Sequence, residues 1–409
     1  MFRIVSKFAS GGGSTEITWT RRTVFLQADM KRKATASPRW RWKFGGFLLM
    51  GTLLTLFMLV HLQTLFGPDA SDGANTVPVV TSFEGQQFSL NRTKSKLAFM
   101  FLTGHNMALD ILWNQFFEEV EEHEYSVYIH ARPGYSFSKG NTICRSFINR
   151  QLNNSILVEW GEATMIRAER LLLTEALQDP LNQRFFLLSD SCIPLYNFTH
   201  IYNYVMSSQK SFVDSFVDKN DDQYNILMEP VISEDKWRKG SQWVALTRKH
   251  AEVIAGDSTV FPSFVDHCKK INLSDNWKGD PMNNETIGRH NCIPDEHYIQ
   301  TLLAIKGLEG EIERRTLTFS RWENSAKDQG QNGWHPVTFK FADATVQTIK
   351  EIQAITNVRY EIESRTEWCS AGGHRRHCFL FARKFTRAAA FRLIDQVDQY
   401  KSSDPDLAE

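Results

Sequence analysis

The stretch Leu97-Ala-Phe-Met-Phe-Leu-Thr103 decides the fold class. It is a short, continuous apolar run, which is typical of a strand buried on both faces of a sheet. The later stretch Arg184-Phe-Phe-Leu-Leu-Ser-Asp190 has the same pattern. Segments with helical spacing lie between these strand-like runs, so we expect an α/β fold.

The remaining elements of this region also alternate. Apolar residues at helical spacing predict helices, and short apolar runs predict strands. The helices are expected at Met107–Glu121 and Ala163–Leu177, and the strands at Tyr125–His130, Ile156–Val158, Phe212–Phe216 and Thr316–Phe319. Strands that alternate with helices of roughly 10–15 residues indicate a mostly parallel sheet with helices on both faces.

Polar residues follow three of the predicted strands, at residues 103–105, 130–132 and 189–191. Ligands bind beyond the carboxyl ends of the strands in such a sheet, so Thr103, His130 and Asp190 are candidates for lining one crevice. The alternative is that these residues only terminate their strands. The sequence contains neither a G-x-G-x-x-G fingerprint nor a Walker-type loop.

Residues 44–66 predict a membrane span. These 23 residues carry no Asp, Glu, Lys or Arg, and as a helix they would rise about 34 Å, enough for a bilayer core of about 30 Å. Eight Lys and Arg residues and one acid, Asp29, lie between Arg21 and Lys43. This basic flank predicts a cytoplasmic N-terminus, with Trp40 and Trp42 at the interface. A cleaved signal peptide is the alternative, but Gly67-Pro-Asp69 is a poor cleavage site.

The cysteines and glycosylation sequons agree with this topology. All six cysteines follow the predicted span, as expected for an oxidising compartment. Five Asn-x-Ser/Thr sequons also follow it, at Asn91, Asn153, Asn197, Asn272 and Asn284. We therefore expect a type II membrane protein of the secretory pathway.

The predicted organisation has five parts. They are a disordered cytoplasmic tail (1–43), a signal anchor (44–66), a polar stem (67–94), a lumenal domain (95–396) and a C-terminal tail (397–409). Basic and acidic residues balance at 47 each, so bulk charge argues against a nucleic-acid partner.

The stretch Cys292-Ile-Pro-Asp-Glu-His-Tyr-Ile-Gln300 is the candidate catalytic segment. Pro294 suits the first turn of a helix, and Tyr298–Ile305 predicts the helix that follows. Asp295 and Glu296 would then be first-turn acids, which the helix dipole favours. The alternative to a catalytic role is that they are ordinary residues of a helix start.

Five motifs occur in an order that resembles a known family. They are Thr103 after an apolar strand, Phe185–Leu195, Lys239-Gly-Ser-Gln-Trp243, Pro294-Asp-Glu296 and Cys378–Phe385. Together they resemble the core-2/I-branching β-1,6-N-acetylglucosaminyltransferases of glycosyltransferase family 14, and most closely the plant-type branch. The resemblance covers roughly Lys96 to Ile394.

The resemblance implies a GT-A-like fold and transfer of a sugar, with inversion, from a UDP-sugar in a Golgi enzyme without a divalent metal. It assigns the general base to Glu296. It assigns the cations for the diphosphate to Lys384 and to Arg375, the latter from its place before the second cysteine of the Cys369–Cys378 pair. That pair would form a disulfide. No other cofactor is implied.

Further residues are expected beside the donor or the acceptor. These are His130, Asp190, Ser241 and Trp243, with Trp237 and Trp322 as possible sugar-stacking rings. Because Arg376 adjoins Arg375 and Arg383 adjoins Lys384, the register of the cations is open by one residue. The segment 374–377 could instead be a solvated basic loop, and a zinc site with Cys369 and Cys378 fits no standard spacing.

Three classes of function are compatible with these residues. The first is a glycosyltransferase that acts on a glycan or glycoprotein and transfers N-acetylglucosamine, xylose or glucuronic acid. The second is a non-catalytic lumenal lectin or scaffold with the same fold. The third, a hydrolase, would need a second carboxylate across the scissile bond, and nothing beyond Asp295 and Glu296 suggests one.

Overall fold

We describe the protein from a computed structural model, which defines residues 3–6, 15–20, 94–217, 223–268, 292–322 and 335–401. The strands are β1 Arg3–Ser6, β2 Thr15–Thr20, β3 Lys96–Leu102, β4 Tyr125–His130, β5 Asn182–Ser189, β6 Ile193–Pro194, β7 Ser211–Phe212, β8 Ala245–Thr247, β9 Ile312–Glu313, β10 Thr318–Ser320, β11 Ile355–Tyr360, β12 Arg365–Trp368, β13 Ser370–Ala371, β14 His374–Arg375 and β15 Phe381–Arg383. The helices are α1 Asp110–Phe117, α2 Thr164–Ala176, α3 Phe198–Met206, α4 Arg248–Ala255, α5 Val260–His267, α6 Tyr298–Ile305, α7 Val346–Gln353, α8 Arg387–Ile394 and α9 Asp398–Lys401.

The two apolar runs that predict the fold class lie side by side in a six-stranded sheet. Its strand order is β4-β3-β5-β8-β7-β9. β3 is parallel to β4 and to β5, and β7 is parallel to β9, whereas β8 is antiparallel to β5 and β7. The α/β class is confirmed. The sheet is richer in antiparallel pairs than the sequence predicts, because β8 enters it against the direction of its neighbours.

Side chains of β3 alternate between two cores, which explains why the strand is apolar throughout. Phe99 and Phe101 face α1, where their rings lie 6.1 Å and 4.9 Å from that of Trp113. Ala98 and Met100 belong to the opposite core, which includes Leu172 and Leu173 of α2 and other buried residues. Helices therefore cover both faces of the sheet, as predicted.

A smaller sheet lies next to the carboxyl end of β5. Its order is β10-β15-β6, with β15 parallel to β10 and antiparallel to β6. The side chains of Phe381 and Ala382 are buried in the same core as α1. This pairing fixes the backbone that leads into Lys384, and thereby the position of the basic end of β15.

Two disulfides are formed, Cys268–Cys292 and Cys369–Cys378. The second confirms the predicted pair. It also removes the zinc alternative, because a sulfur in a disulfide is not a thiolate ligand. Cys144 and Cys192 are buried free thiols.

Several predicted elements differ in the structure. Residues 156–158 are not part of a strand, and β7 takes only the first residue of Phe212–Phe216 together with Ser211. β1 and β2 lie in the predicted irregular tail, and β2 pairs in parallel with β11. A pairing partner far along the chain leaves no local signal in the sequence.

The domain also continues past its predicted boundary, since Val397 is buried and α9 ends at Lys401. The predicted span 44–66, nearly all of the stem and the sequons at Asn91, Asn272 and Asn284 lie outside the described residues. Within those that are described, no helix has the length and apolar character needed to cross a membrane.

Candidate active site

A cleft of about 420 Å³ opens at the carboxyl ends of β3, β4 and β5. It brings together six of the seven site residues predicted from the sequence, which are His130, Asp190, Ser241, Trp243, Glu296 and Lys384. Thr103 and Gly104 also line it. The rule that ligands bind at this edge of the sheet therefore locates the cleft correctly.

Glu296 lies on a 3₁₀ turn, Pro294–Glu296, and α6 begins two residues later at Tyr298. The sequence predicts one continuous helix start, but His297 has φ −128° and separates the turn from the helix. The carbonyl oxygen of Glu296 accepts a 2.9 Å hydrogen bond from the backbone N–H of Gly240. The turn is thus attached directly to the Lys239-Gly-Ser-Gln-Trp243 segment.

A buried lysine lies beside the Glu296 carboxylate. The Lys239 Nζ is 3.7 Å from Glu296 Oε2, and the lysine side chain is 1% exposed while that of Glu296 is 36% exposed. The same Nζ donates to Gln223 Oε1 at 2.7 Å. The lysine therefore places a positive charge beside a carboxylate that faces the cleft.

Gly240 has a specific packing reason to be glycine. A Cβ at this position would lie 1.9 Å from the Asp214 carbonyl oxygen. The close approach lets the Ser241 N–H donate to Asp214 Oδ2 at 3.0 Å, while the Tyr360 hydroxyl donates to the other oxygen. Burial raises the pKa of Asp214 to about 6. Asp214 therefore anchors the loop that carries Ser241 and Trp243.

Two further carboxyl groups near Glu296, those of Asp295 and Glu169, are buried. Burial raises the pKa of Asp295 to about 7, with a further contribution from Glu296. Burial also raises the pKa of Glu169 well above its ordinary value, and Asp295 adds to the shift. Gln242 Nε2 donates to Glu169 Oε1 at 3.1 Å.

Sequence reasoning missed Glu169 and placed Asp295 on an ordinary helix start. A signal for Glu169 existed: it lies three residues after Ile166 and three before Leu172, on the apolar face of the predicted helix.

The basic end of β15 supplies two cations to the cleft, Arg383 and Lys384. The Arg383 guanidinium lies 4.4 Å from the centroid of the Trp243 ring. Burial raises the pKa of Asp190, whereas Arg383 and Lys384 act on it in the opposite direction. Burial lowers the pKa of both cations, and Asp190 counteracts this effect.

Arg375 does not line the cleft. It is exposed on β14, and its guanidinium stacks 4.7 Å from the Trp368 ring centroid. The Cys369–Cys378 disulfide closes the β13–β14 hairpin, in which Ala371 is buried in the core whereas His374 and Arg375 are exposed. Of the register alternatives, the structure brings the neighbouring pair Arg383 and Lys384 to the site.

His130 and the aromatic residues complete the lining. His130 Nε2 accepts a 3.1 Å bond from the Ile156 N–H, and burial lowers the pKa of His130, so the ring is neutral. Trp322 lines the cleft, as does Trp160, which is 43% exposed. Trp237 instead stacks on His297 in the core at 4.3 Å, so it is not a sugar platform.

The sequence model of the core-2/I-branching enzyme family matches residues 97–353, which is more than half of the chain and includes Glu296. The chain belongs to this family. A relative from rice, Oryza sativa subsp. japonica, named glycosyltransferase BC10, is 45% identical over 385 residues, covering 88% of this chain and 96% of that protein. The protein is a glycosyltransferase.

A solved structure of the WbbM bifunctional glycosyltransferase in its apo form is a far more distant match. It is 7% identical to this core-2/I-branching chain, with a TM-score of 0.32, and covers 87% of this chain and 60% of its own. That likeness is too low to support any inference about the site.

Proposed function

We propose that the protein is an inverting, GT-A-like glycosyltransferase of the Golgi membrane that transfers a sugar from a UDP-sugar to a glycan or glycoprotein hydroxyl without a divalent metal. The observation that carries the proposal is one cleft holding an accessible carboxylate, Glu296, together with two cations, Arg383 and Lys384. The family membership supports a nucleotide-sugar donor and a glycan acceptor.

Glu296 acts as the general base in this proposal. A sugar hydroxyl is a poor nucleophile at neutral pH, and a carboxylate within hydrogen-bond reach takes its proton as the new C–O bond forms. Lys239 Nζ lies 3.7 Å from this carboxylate. The hydrogen bond from the Gly240 N–H to the Glu296 carbonyl oxygen fixes the turn that carries it. Inversion follows when the acceptor attacks the anomeric carbon directly, opposite the departing UDP.

Arg383 and Lys384 stabilise the diphosphate as negative charge develops on the leaving UDP. Fixed positive charges in a partly enclosed cleft act more strongly than in water and need no reorganisation during the reaction. Asp190, between strand β5 and these cations, offers a single carboxylate. Residues 95–396 contain no Asp-x-Asp sequence; Asp404-Pro-Asp406 lies in the C-terminal tail, outside the described residues.

The substitution Glu296→Gln tests the base. It keeps the size of the side chain and its hydrogen bonding but removes its ability to accept the proton, so kcat should fall by about 10²–10⁴-fold. UDP affinity should remain close to that of the wild type, because the cations lie elsewhere in the cleft. The assay is UDP release by the purified lumenal domain with UDP-N-acetylglucosamine, UDP-xylose or UDP-glucuronic acid and a panel of acceptors.

Glu119→Gln is the matched control for this experiment, since Glu119 is exposed and outside the cleft. It should behave as the wild type. Near-complete transfer by Glu296→Gln would reject Glu296 as the base. A wild-type protein that binds glycans but never releases UDP would favour the lectin alternative.

Removal of metal tests the role of the two cations. Transfer should continue in EDTA, because Arg383 and Lys384 stabilise the leaving group. Activity would be assayed before and after dialysis against EDTA, with manganese added back. Loss of transfer in EDTA and recovery with manganese would contradict the proposal and point to Asp190 as a metal ligand.

A further inference from the structure

Asp295 lines the cleft but is 4% exposed, and its Oδ1 accepts no hydrogen bond from any residue that the structure describes. Buried polar atoms in folded proteins are almost always paired. A buried oxygen at the wall of a cleft therefore points to a partner that is supplied by a bound ligand. In the cleft of a glycosyltransferase, the abundant polar groups of that ligand are sugar hydroxyls.

The charged groups that face Asp295 come from three elements. Glu296 is its neighbour on the same turn, Glu169 approaches from α2, and Arg383 approaches from the end of β15. Lys239 is adjacent to Glu296, at 3.7 Å from that carboxylate. Asp295 therefore has two acidic neighbours and one cationic neighbour, and it is shielded from water. The two acidic neighbours and the exclusion of water both disfavour ionisation of Asp295 beside Glu296, whereas Arg383 favours it.

We propose that Asp295 works as a neutral carboxylic acid, whose O–H donates a hydrogen bond to a sugar hydroxyl held in the cleft. The inference rests on the proposed function and deepens it, because it assigns different tasks to two adjacent acids. Glu296, beside Lys239, takes the proton from the attacking hydroxyl. Asp295 keeps its proton and orients the sugar. Environments that separate the protonation of two neighbouring carboxyl groups are a common way to divide such roles.

The pH dependence of transfer distinguishes the neutral form from the ionised form. Because burial raises the pKa of Asp295 to about 7, the active protonated form is lost as the pH rises through that value. In the wild type, kcat/KM should fall on the alkaline side, approaching tenfold for each further pH unit.

Two substitutions at this position have opposite expected results. Asp295→Asn supplies an amide N–H donor of similar shape at every pH, so it should retain transfer at pH 7 and lose the alkaline decline. Asp295→Ala removes the donor and should lower kcat/KM by about tenfold or more below pH 7, and it should also lose the alkaline decline. Asp266→Asn, an exposed acid on α5 outside the cleft, is the matched control and should keep the wild-type profile.

A binding measurement gives a second, independent readout. At pH 8, binding of the sugar should draw a proton from the buffer onto Asp295, which calorimetry detects as a heat that changes with the ionisation enthalpy of the buffer. Asp295→Asn should show no such uptake. The probes are UDP, the three UDP-sugars named above and the acceptor that supports UDP release.

The probes separate the two possible sources of the hydroxyl. Uptake with a UDP-sugar but not with UDP identifies a hydroxyl of the donor sugar, and uptake only with the acceptor identifies an acceptor hydroxyl. The inference is overturned if Asp295→Asn loses transfer as completely as Asp295→Ala, because the ionised form is then required. It is also overturned if no probe causes proton uptake. Failure of the wild type to release UDP would reject the proposed function instead, whereas proton uptake on titration with a UDP-sugar would still support the neutral form of Asp295.

Discussion

Two neighbouring cations at the end of β15 have different surroundings, and this difference predicts different consequences of substitution. Arg383 is stacked on Trp243, and its Nε is enclosed without a hydrogen-bond partner among the described residues. Lys384 is only partly buried and lines the cleft. Substitution of Arg383 would therefore disturb the packing of Trp243 as well as the charge. Lys384 is the cleaner test of diphosphate binding.

Lys384→Ala should weaken UDP binding by roughly tenfold or more, because a hydrogen bond to a charged group contributes about 1.5–3 kcal/mol. Calorimetric titration with UDP measures the effect directly and does not require an acceptor. Arg375→Ala is the control, since Arg375 stacks on Trp368 at the surface and should leave UDP affinity unchanged. Weakened binding in Arg375→Ala would instead mean that the β13–β14 hairpin closes over the nucleotide.

At the level of single residues, the sequence predicts mainly those site residues that lie in short motifs. Glu296 and Lys384 line the cleft, and the sequence indicates both because each lies in a short motif; their chemical roles belong to the proposed function. The position of Arg375 is not predicted correctly, because it depends on how the disulfide hairpin turns relative to β15. The burial of Asp295 is also missed, since first-turn acids are usually solvated and only the tertiary contact with α2 encloses this one.

At the level of elements, the close contact between the Gly240 loop and Asp214 connects the sheet to the Pro294–Glu296 turn. Gly240→Ala should destabilise the domain by more than the roughly 1–3 kcal/mol typical of overpacking, because the new Cβ meets backbone rather than a movable side chain. It should also lower transfer, since Ser241 and Trp243 follow directly. Chemical denaturation of the purified domain measures the stability.

Gly310→Ala is the matched glycine control. A Cβ at Gly310 would meet nothing within 4 Å, so the change in stability should stay within about 0.5 kcal/mol. Equal stabilities of the two variants would show that the Gly240 loop can move away from Asp214 at little cost, and that the loop does not hold the Glu296 turn in place.

Long, uniformly apolar strands and the α6 helix follow from local pattern, whereas the two-residue strands do not. β6, β7 and β9 exist only because distant segments pair with them. The antiparallel position of β8 between β5 and β7 likewise depends on pairing between segments that are far apart in the chain. The hydrophobic periodicity of the sequence carries no information about that pairing. The sequence therefore predicts the layers of the fold and the edge that holds the cleft, but not the full strand order.

At the level of the whole molecule, two observations predict different locations for the N-terminal segment. The basic flank before residues 44–66 predicts that residues 1–43 are cytoplasmic. The pairing of β2 with β11 places residues 15–20 against a strand of the catalytic domain. Since a backbone pair cannot have a membrane between its two strands, only one of these arrangements can hold in the cell.

Protease protection on sealed microsomes decides between them. We expect an epitope tag at the N-terminus to be digested and a C-terminal tag to survive on a fragment that begins near Gly67, because the eight basic residues between Arg21 and Lys43 retain the tail in the cytoplasm. The protected fragment should shift on enzymatic deglycosylation, since the sequon residues Asn153 and Asn197 are exposed. Protection of both tags would place the N-terminus with the catalytic domain, as the β2–β11 pairing requires. Digestion of the C-terminal tag would instead place the cleft on the cytoplasmic side, where the two disulfides would not be expected to persist.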